Sequence, residues 1–164
     1  MRRSGSPPAV RSSRARALPA PPVLLDTNSL FLPFRSGLRL EDEIRRWGVP
    51  GAILVPSFVY AELANLEARA TPDAVAANAL ARRFPAIPCP GRGDAALVRL
   101  ARELSATVVT SDRKLRERLN RVGITVLAPR DRVHLQAFPG RLERPVRRTP
   151  RPSLPRKRLS SRPG

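Results

Sequence analysis

Four acidic side chains could do chemistry in this sequence. Asp26 follows the apolar run Val23-Leu24-Leu25, and Asp112 follows Thr107-Val108-Val109 after Thr110 and Ser111. Glu62 falls within a helical stripe of Phe58, Val59, Leu63 and Leu66, and Asp94 shortly precedes Leu97 and Val98. A carboxylate on a core-facing stripe is costly unless something pairs with it. Carboxylates that converge repel one another unless a cation sits between them. Hard oxygen ligands select Mg²⁺ or Mn²⁺, and Mg²⁺ keeps several of its waters, which leaves room for a phosphate. One ion activating a water and a second stabilising the leaving oxygen is a route to phosphodiester hydrolysis. Each acid also has a plainer use. Asp112 before Arg113-Lys114-Leu115 and Asp94 after Gly93 make good helix N-caps, and Asp26-Thr27-Asn28 makes a capping turn. Glu62, a full turn into its helix, has no such use.

The elements that must position these acids are short apolar runs alternating with helical patterns, which predicts an α/β fold with a central parallel sheet of four to five strands flanked by helices. Strands are expected at Val23-Leu24-Leu25, Ile53-Leu54-Val55, Thr107-Val108-Val109 and Ile124-Thr125-Val126-Leu127, with a short one near Ala86-Ile87. Helices are expected at Leu40–Trp47, Ser57–Ala70, Asp73–Phe84, Asp94–Ser105 and Arg113–Val122. Leu97, Leu100, Ala101 and Leu104 form one apolar stripe, and Leu115, Leu119 and Val122 another. In such a sheet ligands bind beyond the carboxyl ends of the strands, where Asp26 and Asp112 both fall.

Charge divides the 164-residue chain into three parts. Residues 1–22 hold five Arg, five Pro and no acid, and residues 141–164 hold nine Arg or Lys, five Pro and one acid, Glu143. Both stretches read as disordered basic segments, although Arg- and Ser-rich starts also occur in transit peptides. Removing their +5 and +8 from the total of +18 leaves +5 on residues 23–140, the expected folded domain, so the acids are concentrated where the fold is. A surplus of this size favours polyanionic partners, RNA among them, because each basic residue set against a phosphate releases counterions. The scarcity of lysine, only Lys114 and Lys157, equally fits a general bias towards arginine. No apolar run approaches a membrane span, and the single cysteine, Cys89, fits a reducing compartment, with the cytoplasm as the expected location.

With these residues in place, the chain resembles the PIN-domain family. Leu24-Leu25-Asp26-Thr27-Asn28 is similar to the family's opening strand motif, Val59-Tyr60-Ala61-Glu62-Leu63 to its second, Gly93-Asp94-Ala95-Ala96-Leu97 to its third, and Val109-Thr110-Ser111-Asp112-Arg113-Lys114-Leu115 to its fourth. The resemblance covers roughly residues 23–128 and implies an endoribonuclease in which Asp26, Glu62, Asp94 and Asp112 bind Mg²⁺ or Mn²⁺ and Asn28 and Thr110 orient them. Its nearest branches are rRNA-processing endonucleases and VapC-type toxins. Asp26 to Phe34 and Val126 to Arg130 lean towards the first, and the basic tails are untypical of small toxins. The implied partner is rRNA or another structured RNA. A homodimer and a pre-ribosomal or antitoxin protein partner also fit. A non-catalytic RNA-binding scaffold on the same fold is the reading from another class. Arg92, Arg113 and Lys114 flank two of the acids and are expected either to hold substrate phosphate or to form a solvated face. His134 lies outside every motif and reads as a surface or packing residue.

Overall fold

The computed structural model describes residues 20–141; the expected N-terminal arm, apart from 20–22, and the C-terminal tail beyond Arg141 lie outside them. Among the described residues six strands form one sheet in the order β3-β2-β1-β4-β5-β6. They are β1 (Val23–Leu25), β2 (Ile53–Pro56), β3 (Ala86–Ile87), β4 (Thr107–Val109), β5 (Val126–Pro129) and β6 (Leu135–Phe138). The first five are parallel, and β6 returns antiparallel to β5. Strand β1 is apolar and buried at all three positions, as expected of a central parallel strand covered on both faces.

The order reverses at β1. From it the chain steps outward to β2 and β3, then crosses back to place β4 on its other side. The β1/β4 boundary is therefore the topological switch point, where the crossovers diverge and leave a crevice at the carboxyl edge. Among the described residues six α-helices make the connections: α1 (Leu32–Ser36), α2 (Leu40–Arg46), α3 (Ser57–Ala68), α4 (Ala74–Ala81), α5 (Gly93–Leu104) and α6 (Arg113–Arg121). Helices α3 and α4 pack on each other, as do α5 and α6. No helix among the described residues is long and apolar enough to cross a membrane.

Three features differ from the sequence expectation. The segment between β1 and Leu40, to which the sequence pattern assigns no element beyond a capping turn, holds a 3-10 turn, Ser29–Phe31, that runs into α1, whose Pro33 suits a first helical turn. Strand β5 starts two residues later than its apolar run, because the Ile124 N–H is used to close α6 on the Leu119 carbonyl, with Gly123 in the left-handed conformation. The sheet also gains β6. The turn before it is fixed by Asp131, whose Oδ1 accepts from the backbone N–H groups of Val133 and His134 and holds the carboxyl at about 2. The outer edge of β6 is blunted where Glu43 accepts from the Leu135 N–H and the Trp47 indole donates to the Leu135 carbonyl.

Candidate active site

Asp26 is the first residue beyond β1, and only 5% of its surface is exposed. Both its oxygens have a partner. Oδ1 accepts the Ser29 N–H at 2.6 Å, which caps the 3-10 turn, and Oδ2 accepts the Thr110 hydroxyl from the end of β4. The Ser29 hydroxyl returns a bond to the Asp26 carbonyl at 2.8 Å, so this corner is braced through side chain and main chain together. Burial nevertheless dominates: desolvation raises the Asp26 carboxyl to about 6, the Thr110 and Ser29 hydrogen bonds oppose it, and the nearby Asp112 charge adds to the rise.

Thr110 is fully buried and joins the two strand ends. Its hydroxyl donates to Asp26 and accepts the Asp112 N–H at 3.0 Å. Asp112 is the N-cap of α6, with Oδ1 accepting from the N–H groups of Lys114 at 2.8 Å and Leu115 at 3.1 Å. The cap engages one oxygen and leaves Oδ2 without a hydrogen bond among the described residues. Glu62 lies half-buried on α3, between the buried Phe58, Val59 and Leu63. Its Oε2 accepts the Thr27 hydroxyl, which ties α3 to the residue after Asp26.

Asp26, Asp112 and Glu62 are thus linked through Thr110 and Thr27. Asp94 is not. It stands exposed in the first turn of α5, with no hydrogen bond or ion pair among the described residues. Asn28 is exposed without a side-chain capping bond. Arg92 and Lys114 are exposed without an ion-pair partner among the described residues, whereas Arg113 pairs with Glu117 at 3.0 Å. Sequence reasoning missed Ser29 and Thr27. Ser29, three residues after an Asp, fits a capping turn and could have been found; the Thr27–Glu62 bond spans 35 residues and leaves no local signal.

Among the described residues no three His, Cys, Asp or Glu side chains form a group ready to hold a metal ion. The donor set still suits a hard cation. Asp26 is a desolvated carboxylate with acceptor capacity beyond its two hydrogen bonds, and Asp112 and Glu62 each keep one oxygen without a hydrogen bond among the described residues. Mg²⁺ requires only one or two direct carboxylates when waters complete its shell. His134 faces Asp131 at 3.0 Å, and the buried Cys89 has its thiol pushed up by desolvation. Neither belongs to the corner built around Asp26.

A doubly wound parallel sheet with acids at its switch point defines the class, and the sequence defines the family. A family model for PIN-like domains matches residues 23–132, and the chain belongs to that family. Among solved structures, the PIN domain endonuclease Utp24 superposes with a TM-score of 0.60 at 20% identity, over 72% of this chain and 92% of that one. A domain of a functionally unknown protein from Methanocaldococcus jannaschii DSM 2661 is 18% identical, with a TM-score of 0.49 over 68% of this chain and 93% of that one. No curated relative matches the chain.

Proposed function

We propose that this protein is a divalent-metal-dependent endoribonuclease whose site is the β1/β4 corner, with Asp26, Asp112 and Glu62 as the carboxylates that hold Mg²⁺ or Mn²⁺ and Asp94 as a fourth acid at the rim. The observation that carries the reading is Asp26. A carboxyl placed beside a second carboxylate and desolvated until it titrates at about 6 is unfavourable in the protein alone, and a cation offsets it. The family and the similarity to an endonuclease support the same chemistry.

A Mg²⁺ or Mn²⁺ held there by these carboxylates would supply Lewis-acid stabilisation of the scissile phosphate and would lower the pKa of a bound water, easing the loss of the proton that leaves the attacking hydroxide. The chain's own residues do the rest. Thr110 fixes the rotamer of Asp26 and the start of α6 together, and Thr27 fixes Glu62. Lys114 and Arg92, exposed beside Asp112 and Asp94, orient the phosphate backbone, and Arg113 joins them when Glu117 releases it. The role assigned is processing or turnover of structured RNA, ribosomal RNA included, and the motif resemblance rather than the corner's geometry carries that assignment. The lack, among the described residues, of a ready three-carboxylate group favours one competitor, an RNA-binding scaffold without catalysis.

The test is cleavage of labelled RNA by the full-length protein with Mg²⁺ or Mn²⁺ and with chelator, alongside Asp26→Asn. Metal-dependent cleavage that the variant lacks is the expected result. RNA binding without cleavage under any metal condition leaves the scaffold reading standing instead.

A further inference from the structure

Helix α6 is basic out of proportion to the other helices. Its nine residues contain Arg113, Lys114, Arg116, Arg118 and Arg121 against Glu117 alone, while α3 and α4 together contain no Arg or Lys. Leu115 and Leu119 bury one face, so the charges lie on the others. Arg113 is held by Glu117 at 3.0 Å and Arg116 by the Phe138 ring, 4.0 Å from its centroid, and Arg121 is engaged as well. Lys114 and Arg118 are exposed and have no ion-pair partner among the described residues. They are four residues apart, hence on one face, where like charges destabilise an isolated helix. An anion lying along that face removes the penalty.

The position of α6 gives that face a direction. Its first residue follows Asp112, so Lys114 borders the acidic corner. At its other end the chain returns from β6 to the same helix. Gly140 passes so close to Gly123 that an added Cβ would lie 2.1 Å from the Gly123 carbonyl carbon, and the Arg141 N–H then bonds the Asn120 carbonyl at 2.9 Å. Arg141, exposed, is thereby fixed beside the C-terminal turn of α6. By sequence, residues 142–164 add eight Arg or Lys against Glu143 from that point onward.

We propose that single-stranded RNA leaving the acidic corner lays its phosphates along the outer face of α6, over Lys114 and Arg118 to Arg141. The inference rests on the nuclease reading for its starting point, but binding along the track is a separate property. It is tested in the full-length protein with Lys114, Arg118 and Arg141 all changed to Gln, by titrating labelled oligouridylate in chelator over a range of salt. Arg69→Gln/Arg82→Gln, two exposed cations near the ends of α3 and α4, is the control for loss of charge elsewhere on the surface. Losing three phosphate contacts should lower the logarithmic salt slope by about 2, at roughly 0.7 per contact for single strands. The control should keep the wild-type slope, and Lys114→Arg/Arg118→Lys/Arg141→Lys should restore it, which separates charge from folding. An unchanged slope in the triple Gln variant, or an equal loss in the control, overturns the track. Because these titrations contain no metal, they stand apart from the cleavage assay: absent cleavage with an α6-dependent slope removes the nuclease and keeps the track.

Discussion

The β1/β4 corner and the β3/α5 corner each bring an aspartate to the carboxyl edge of the sheet, and they treat it in opposite ways. Asp26 is buried, bonded at both oxygens and raised to about 6; Asp94 is exposed and bonded to nothing among the described residues. A shift from 3.8 to about 6 corresponds to roughly 3 kcal/mol against the ionised form. A surface aspartate carries no such cost and needs no function to explain it. The contrast teaches that a sheet edge can gather acids by topology alone, whereas burying one against its own solvation calls for a compensating group, the role the proposed metal ion would fill.

The largest expected effect that tests this contrast is that of Asp26→Asn. Cleavage should fall about a thousandfold, the several kcal/mol that a misplaced metal forfeits. Stability in chelator should move the other way. Asp26 titrates higher folded than unfolded, so its favourable contribution is complete below about pH 3.8 and is lost as pH rises through about 6. The variant should therefore melt above wild type at neutral pH, by the equivalent of roughly 3 kcal/mol at most, with the gap closing as the medium is acidified towards pH 4. Thermal melts across that range check the sign, and a variant that melts lower throughout would show that Asp26 is valued in the fold for its hydrogen bonds.

Asp112→Asn comes next. Asn caps a helix about as well as Asp, so α6 should stay intact while the charge beside Asp26 disappears. Cleavage should drop at least about tenfold, and added Mn²⁺ should raise the melting temperature of wild type more than that of the variant. Equal metal-induced shifts with undiminished cleavage would leave Asp112 a cap and nothing more.

Thr110→Val reverses the stability sign. Removing the hydroxyl deprives Asp26 Oδ2 and the Asp112 N–H of their partner, which should cost about 1–3 kcal/mol. Loss of a group that orients a metal ligand should lower metal affinity about 10–100-fold, with Thr110→Ser restoring most of it. Asp94→Asn should do least, within about 0.5 kcal/mol of wild type in a melt. Its cleavage loss should be much smaller than that of Asp26→Asn, and a matching loss would erase the distinction between the two corners.

The fold was legible where periodicity is strong. Strands β1 and β4 are short β-branched or leucine runs between turn residues, and the sequence boundaries for them coincide with the observed ones. Strand β6 was not, because Leu135-Gln136-Ala137-Phe138 is short and mixed in composition and depends on Asp131 turning the chain back. Sequence singles out the four acids because three follow strand-like or capping contexts and Glu62 is out of place on an apolar stripe, whereas the fold links Asp26, Asp112 and Glu62 and leaves Asp94 apart. Their surroundings were not readable. Asp26 meets Thr110 across 84 residues and Glu62 meets Thr27 across 35, pairings that only the strand order creates. Sequence also gave Asn28 and Thr110 equal standing as orienting residues, while in the fold Thr110 bridges two strands and Asn28 faces outward.

The most direct test of the central claim is Mn²⁺ binding itself, read from the electron paramagnetic resonance signal of the free ion as protein is added, without RNA. The account predicts that wild type depletes the signal, that Asp26→Asn and Asp112→Asn deplete it far less, and that Asp94→Asn stays close to wild type. Wild type that leaves the signal untouched, or Asp26→Asn that depletes it equally, would contradict the placement of a metal at the β1/β4 corner.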